Sequence, residues 1–255
     1  MNLIGISGKK LSGKDTVGNI IKMEFPKYNW QIKKFAYKVK EVASLLTGIP
    51  VEDFEDQEIK GGVLGEEWSY WYCNGKKFFT EKEAKEESDV LYSMEGWDAP
   101  VECKQLNVRQ LLQEIGTEAI RDNIHPNAWV NALFSDYKPI NNCQQHADGL
   151  FYTDECGENE VPPVYPNWII TDVRFPNEAK AIKDRGGILI RVNRSGYISD
   201  LPKNSTPLEH LARGKELHIS ETSLDSYKDW DYVIDNNGTI IELMFKVKRT
   251  LKNIL

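Results

Sequence analysis

The 255-residue chain has no apolar run approaching the roughly 18 residues that a membrane-crossing helix needs, so no span is expected. Nor does it open on a leader: its first residues read as a strand that runs straight into a functional loop. It lacks an excess of positive charge. With 32 Lys and Arg against 39 Asp and Glu, its net charge of −7 speaks against a general affinity for nucleic-acid backbone, and so against a nucleic-acid partner. A local basic pocket for a small phosphate ligand stays open. Cysteine is sparse. Cys73, Cys103, Cys143 and Cys156 are scattered and read as free thiols of a reducing, cytoplasmic compartment. Cys143, His146 and Cys156 have neither paired spacing nor a fourth partner, so no metal centre is expected there. Internal repeats and low-complexity tracts are missing too. What remains is a chain long enough for one large α/β domain, or for a core with insertions.

The signal is densest at the start. Leu3-Ile4-Gly5-Ile6-Ser7 reads as a short buried strand, Gly8 to Thr16 as a glycine-bounded loop, and Val17 to Phe25 as a helix. That order is the context a phosphate-binding loop needs. Such a loop aims backbone N–H groups inward, and the following helix adds its own unpaired N–H groups and the positive end of its dipole. Gly8 and Gly13 permit the backbone turns and a close phosphate, with Lys10 and Ser12 between them. Lys14 supplies a mobile ammonium, and Thr16 can reach a phosphate or a metal ion. The P-loop pattern wants Ser or Thr directly after the lysine, but here Asp15 stands there and Thr16 comes one place late. Two readings of Asp15 are open. It helps hold Mg²⁺, directly or through water, or it caps the helix and points away from the nucleotide.

Further along, Trp30 to Phe35 reads as a second strand. A helix follows on which Val39, Val42, Ala43, Leu45 and Leu46 form an apolar face, with Gly48-Ile49-Pro50 as its stop. Lys40, near its start, could reach a ligand phosphate or simply be solvated. About 52–105 reads as an aromatic-rich insertion whose Tyr70-Trp71-Tyr72 and Phe78-Phe79 flank Asn74-Gly75, a hairpin signal. Glu81 to Asp89 is an exposed helix or loop. Asn107 caps the most regular helical segment, which Gly116-Thr117 is expected to interrupt, and Pro126 opens a further helix through Phe134. A second insertion, about 139–166, carries turn residues and a short hairpin around Leu150 to Tyr152. Order returns with Trp168 to Arg174, a buried strand ending in Asp172 and Arg174, and ligands gather at the carboxyl ends of such strands. Asp172 could organise magnesium, a water or an arginine, and Arg174 could neutralise phosphate charge. A helix from Pro176 and a strand at Ile188 to Val192 complete a βαβ unit, hence a parallel sheet. About 194–217 is polar and lid-like. Tyr232 to Ile234 is the last strand, and Ile240 to Leu251 a terminal helix offering Leu243, Phe245, Val247 and Leu251 for packing.

Several stretches occur in an order shared by one family: Leu3 to Thr16, Phe35-Ala36 with Lys40, and Val108-Arg109-Gln110-Leu111-Leu112-Gln113 with Gly116-Thr117. Thr171-Asp172-Val173-Arg174, His218-Ile219-Ser220-Glu221 and Asn236-Asn237-Gly238-Thr239 continue the order. The chain resembles the deoxynucleoside monophosphate kinases of tailed bacteriophages, within the P-loop nucleoside monophosphate kinase group. The resemblance spans the chain except for its two insertions. It implies an α/β, three-layer P-loop fold, a single kinase domain over 1–255 with a roughly five-stranded parallel sheet. It also implies Mg²⁺ and ATP as donor and a deoxynucleoside monophosphate as acceptor, with direct in-line transfer. On this resemblance Gly8, Lys10, Ser12, Gly13, Lys14, Asp15 and Thr16 cradle the donor, Asp15 and Thr16 toward the metal. Asn236 and Gly238 lie near the adenine. Lys40, Arg109, Gln113, Thr117 and Arg121 fall on the acceptor side, and Arg194 belongs to the lid. Lys14, Asp172 and Arg174 carry the transfer. A homodimer stays open. The P-loop with Asp after Lys also occurs in phosphomevalonate kinases, so another small-molecule kinase of the phosphomevalonate or dephospho-coenzyme A type is the alternative enzyme. A non-catalytic ATP-binding switch is the alternative from another class.

Overall fold

The computed structural model describes residues 2–141, 143–145, 151–153, 162–195, 219–252 and 254–255. Most of the expected lid, together with His146, Cys156 and His218, lies outside the described residues. The chain forms two compact units, Met1–Lys38 with Pro126–Leu255, and Val39–His125.

The chain begins with β1 (Leu3–Ser7), α1 (Lys14–Glu24) and β2 (Gln31–Lys33), and then enters α2 (Phe35–Thr47). It builds the second unit from α3 (Gln57–Gly61), β3 (Ser69–Cys73), β4 (Lys76–Phe78), α4 (Glu81–Glu95), β5 (Val101–Gln105) and α5 (Val108–Gln113), followed by a π-helical stretch, Glu114–Asp122. Back in the first unit come α6 (Ala128–Phe134), the paired strands β6 (Cys143–Gln145) and β7 (Phe151–Thr153), then β8 (Trp168–Ile170) and α7 (Pro176–Lys183). β9 (Ile188–Asn193), α8 (Ile219–Thr222), β10 (Tyr232–Asp235) and α9 (Ile240–Leu251) finish it.

Five strands pair in parallel in the order β10-β9-β1-β8-β2. Their side chains alternate between the two faces, and both faces are apolar, as a parallel sheet covered by helices requires. Ile4, Ile6, Ile169, Ile188, Ile190 and Val192 meet Val17, Ile20 and Ile21 of α1 and Leu243, Val247 and Leu251 of α9. On the other face Leu3, Trp168, Ile170 and Leu189 meet Val130, Leu133 and Phe134 of α6 and Ala179 and Ile182 of α7. The expected three-layer parallel core is therefore present.

In the second unit β3 lies between β4 and β5, antiparallel to both. Asn74 and Gly75 both take positive φ, 48° and 75°, which is what a two-residue hairpin turn demands. Trp71 and Phe78 pack with Cys73, Ala84 and Ala99 under α4, so these aromatics do cover a small core of their own. The opposite register positions, Tyr70 and Tyr72, lie beneath Lys77 and Lys104 at 4.4 and 4.6 Å from the ring centroids. Glu81–Glu95 is one helix, begun by a Thr80–Glu83 capping box and ended by Gly96 in the left-handed conformation.

Three expectations need correcting. Gly116-Thr117 does not interrupt the helix; the chain winds on through it in wider turns. Of the expected apolar face of α2, Leu45 and Leu46 are exposed while Ala43 is buried; for Leu45 the reason is that two residues along a helix turn the side chain by about 200°. Phe245 is likewise exposed, because Leu243, Val247 and Leu251 at four-residue spacing take the inward stripe of α9.

Candidate active site

β1 and β8 are neighbours at the centre of the parallel sheet. From β1 the chain passes toward the β8–β2 side, and from β8 it crosses back to β9 on the other side. Where connections part in this way, the strand ends leave a crevice open to ligand. Out of β1 comes the glycine loop, and out of β8 comes Thr171 to Arg174.

The loop is folded for close approach. Gly13 sits at φ 93° as the cap of α1, in the region that strains any residue with a Cβ. A Cβ on Gly8 would lie 2.7 Å from the Val192 carbonyl oxygen. The Ser12 N–H donates to the Lys9 carbonyl at 3.1 Å and closes the turn. Asn236, just past β10, donates its amide to the Ser12 carbonyl at 2.9 Å, and a Cβ on Gly13 would come within 2.4 Å of that nitrogen. Asn236 thus braces the loop itself. The Ser12 hydroxyl is buried with no partner among the described residues, a state that buried polar groups rarely keep. A phosphate oxygen in the loop would satisfy it, so the cradle fits a nucleotide's phosphates. Lys14 is half-buried at the start of α1, its Nζ 3.5 Å from the Lys9 carbonyl oxygen. Lys10 and Thr16 are exposed on the loop and the first turn.

Asp15 stands in the first turn of α1, whose N-cap is Gly13. Its Oδ1 accepts from the Thr171 hydroxyl at 2.6 Å and lies 3.2 Å from the Lys34 ammonium. Burial pushes its pKa up, but the Thr171 hydrogen bond and the charges of Lys34 and Lys14 outweigh that and hold the carboxyl below its ordinary value. Among the described residues no group of three or more His, Cys, Asp or Glu could hold a metal.

Asp172 is 6% exposed, and its two carboxylate oxygens accept from the Phe35 and Ala36 N–H groups at 2.8 Å each, holding the first turn of α2. Burial pushes its pKa up, against the pull of those two bonds and of Arg174 and Lys34. Arg174 leaves the same strand end. Its backbone N–H donates to buried Glu178 at 2.7 Å, and its Nη1 donates to the Ser220 hydroxyl at 3.3 Å. Arg194 is exposed just after β9, and Gly238 is exposed just before α9.

In the second unit Arg109, Gln113, Thr117 and Arg121 recur every four residues along α5 and the π-helical stretch. An Asn107–Gln110 capping box starts this run. Arg109 is exposed and its Nη2 donates to Gln57 at 3.3 Å; Gln113 and Arg121 are half-buried, and Thr117 is buried. Lys40 is only 7% exposed and is paired with Glu55. Lys60, a residue the motifs gave no reason to single out, shares that carboxylate at 3.6 Å. Burial pushes its ammonium pKa down against the pull of Glu55, and the charges of Lys40 and Arg109 add to the fall. The second unit therefore gathers three cations, Lys40, Lys60 and Arg109. The sequence signal for Lys60 was one lysine just after the acid-rich run 52–58, a cue too common to read.

No helix is long and apolar enough to cross a membrane, among the described residues. No protein-family model matches the chain. Curated relatives do. The chain is 27% identical to the deoxynucleotide monophosphate kinase of Enterobacteria phage T4, over 99% of both chains. It is 23% identical to the deoxynucleotide monophosphate kinase of Escherichia phage RB69, over 99% of this chain and 100% of that one. It is 25% identical to the deoxynucleoside-5′-monophosphate kinase of Escherichia phage T5, over 87% of this chain and 84% of that one. With a glycine cradle at β1, a parallel core and this similarity from end to end, the chain is a relative of the bacteriophage-type deoxynucleoside monophosphate kinases.

Proposed function

We propose that the chain transfers the γ-phosphoryl group of ATP directly to the 5′-phosphate of a deoxynucleoside monophosphate, giving ADP and the diphosphate. One observation carries the reading. The glycine cradle with Lys14 and the segment bearing Arg174 leave neighbouring strand ends of one sheet, in a chain that aligns end to end with a phage kinase of that name. Residues 52–105 and 139–166 are insertions on the kinase core in this reading, and 194–217 is its lid.

The bond between the γ-phosphorus and the ADP oxygen breaks as a bond to an acceptor phosphate oxygen forms. The acceptor is already anionic, so no strong base is needed, and catalysis rests on alignment and on neutralising charge at the γ-oxygens. Lys14 and Arg174 supply that charge, and Arg194 adds to it. The loop amides and Ser12 hold the donor phosphates, with Asn236 as brace. Asp15 and Thr16 would hold a divalent metal, which when bound would supply positive charge against the donor phosphates. Asp172, engaged through both oxygens, keeps the start of α2 in place. Lys40, Arg109, Gln113, Thr117 and Arg121 are assigned to the acceptor, and Lys60 joins them.

A coupled assay of ADP release with dAMP, dGMP, dCMP, dTMP, 5-hydroxymethyl-dCMP and the ribonucleotides tests the proposal. The expected outcome is release that depends on at least one deoxynucleotide. Tight ATP binding with no acceptor-stimulated release would sink it in favour of a switch. Release with only dephospho-coenzyme A or phosphomevalonate would move it to those kinases.

A further inference from the structure

Arg191 is an odd residue for its position. It is the fourth residue of β9, between Ile190 and Val192, and both neighbours are buried. An apolar side chain would serve the sheet. Instead a guanidinium is brought under cover, its side chain only 14% exposed. Its Nη1 donates to the hydroxyl of Ser7 at 3.1 Å, and Ser7 is the last residue of β1 before the glycine loop. Its guanidinium carbon lies 5.5 Å from the centroid of the Trp230 ring. Asp225 stands 3.8 Å from its Nη2. Burial pushes the guanidinium pKa down, and Asp225 draws it back. Placing a charge here is costly, and packing does not call for it.

Asp225 is shared. The same oxygen also pairs with Lys9, the first lysine of the loop, and this second pair is about half-exposed on both sides. One carboxylate thus answers two cations. Beside it lies a cavity of ≈ 10 Å³, about the room of one water on this measure. Ser7, Gly8, Lys9, Arg174, Arg191 and Ser220 line it, and no acidic side chain does among the described residues. Three cations and two hydroxyls therefore converge where the glycine loop meets the end of β8.

We infer that Arg191 is a second arginine for the transferring phosphoryl group, set with Arg174 around this cavity, and that Asp225 is its resident counter-ion. The inference rests on the kinase reading. When phosphate oxygens enter, they replace the carboxylate at Lys9, because an exposed pair is weak and easily broken. Arg191 keeps its bond to Ser7, so its fork is already oriented for oxygens at the loop entrance. Ser7 positions it, and Asp225 keeps the cavity from standing as uncompensated positive charge before ATP arrives.

The test uses the full chain with Arg191→Gln, Arg191→Lys and Asp225→Asn, each checked for cooperative melting. Arg191→Gln should lower kcat by about 10²-fold or more while the KM values for ATP and acceptor move less than about threefold, the signature of a contact made in the transition state. Arg191→Lys should recover part of the loss, since charge returns without the fork. A second readout is binding of ADP without turnover. Asp225→Asn should tighten it several-fold, because Lys9 and Arg191 lose their competitor. Near-wild-type kcat in Arg191→Gln overturns the inference, as does equal or weaker ADP binding in a folded Asp225→Asn. If both arginine variants fail to melt cooperatively, the ADP measurement on Asp225→Asn decides. A wild-type chain that phosphorylates no deoxynucleotide overturns the kinase reading and this inference with it, whereas an active wild type beside an equally active Arg191→Gln overturns this inference alone.

Discussion

The two units hold their functional groups in different ways. In the first, a parallel sheet buried on both faces carries its polar residues at strand ends, and each is tied by short bonds to backbone or to a neighbour. Asp172 grips two N–H groups, Glu178 grips the turn at Arg174 and Phe175, and Asn236 grips the loop. In the second, an antiparallel sheet packs one face on α4 and shows Tyr70 and Tyr72 with their lysines on the other. Lys40 and Lys60 share one counter-ion, Glu55, and Arg109 donates to Gln57. The first arrangement gives fixed geometry, which phosphoryl transfer needs. The second gathers two largely covered lysines around one carboxylate, and in the function proposed above they serve the acceptor. A substitution in the first unit should therefore be read in kcat or in stability, and one in the second in KM.

The largest effect that would break or sharpen this contrast is at Lys14. Lys14→Ala should cost at least about 10²–10³-fold in kcat while cooperative melting is retained. A variant with near-normal turnover would remove the first unit from the chemistry. Next comes the scaffold. Leu189→Ala, at a fully buried site in β9, should lower stability by about 2–5 kcal/mol in urea unfolding, and a loss under ~1 kcal/mol would show a looser core than this packing implies. Smaller is Lys60→Gln, which should raise the acceptor KM about tenfold, as loss of a charge-assisted hydrogen bond does, and leave the ATP KM within about twofold. A shift in both constants would put Lys60 outside the acceptor set. Smallest is the pH effect at Asp15. Its folded pKa lies below its ordinary value of 3.8, so its contribution is present above about pH 4 and fades as pH falls through the folded pKa. Wild type should therefore exceed Asp15→Asn in stability at pH 7, with the gap narrowing below pH 4. A gap that widens on acidification would reverse the assigned sign.

Local chemistry made much of this legible. Asn74-Gly75 fixed the hairpin because only residues tolerant of positive φ close that turn, and Asn107 announced its helix because a cap needs a short acceptor. The strand, loop and helix at residues 3–24 carry their meaning in adjacent residues. What stayed hidden depends on residues far apart in the chain. Asp172 reads as a metal or catalytic carboxylate, and only folding shows both oxygens committed to Phe35 and Ala36. Arg191 passes as a break in an apolar strand, although a lone arginine between two buried residues was a cue. Asp225 lies in a polar run that gives no sign of its two partners, Lys9 and Arg191. β5 was missed as well, because Val101-Glu102-Cys103-Lys104-Gln105 is mostly polar and earns its place by pairing with β3.

The bond from Asn236 to the loop joins residues 224 positions apart. A ribosome makes Lys14 early, yet the brace for its loop emerges only when nearly all of the described chain has been translated. Contacts of such long separation form late in folding. ATP affinity is thus a property of the finished molecule, and partly made chains are expected to hold nucleotide poorly. Bound nucleotide would in turn reward the completed chain by mass action, so that the enzyme's own donor acts as an inspector of its synthesis.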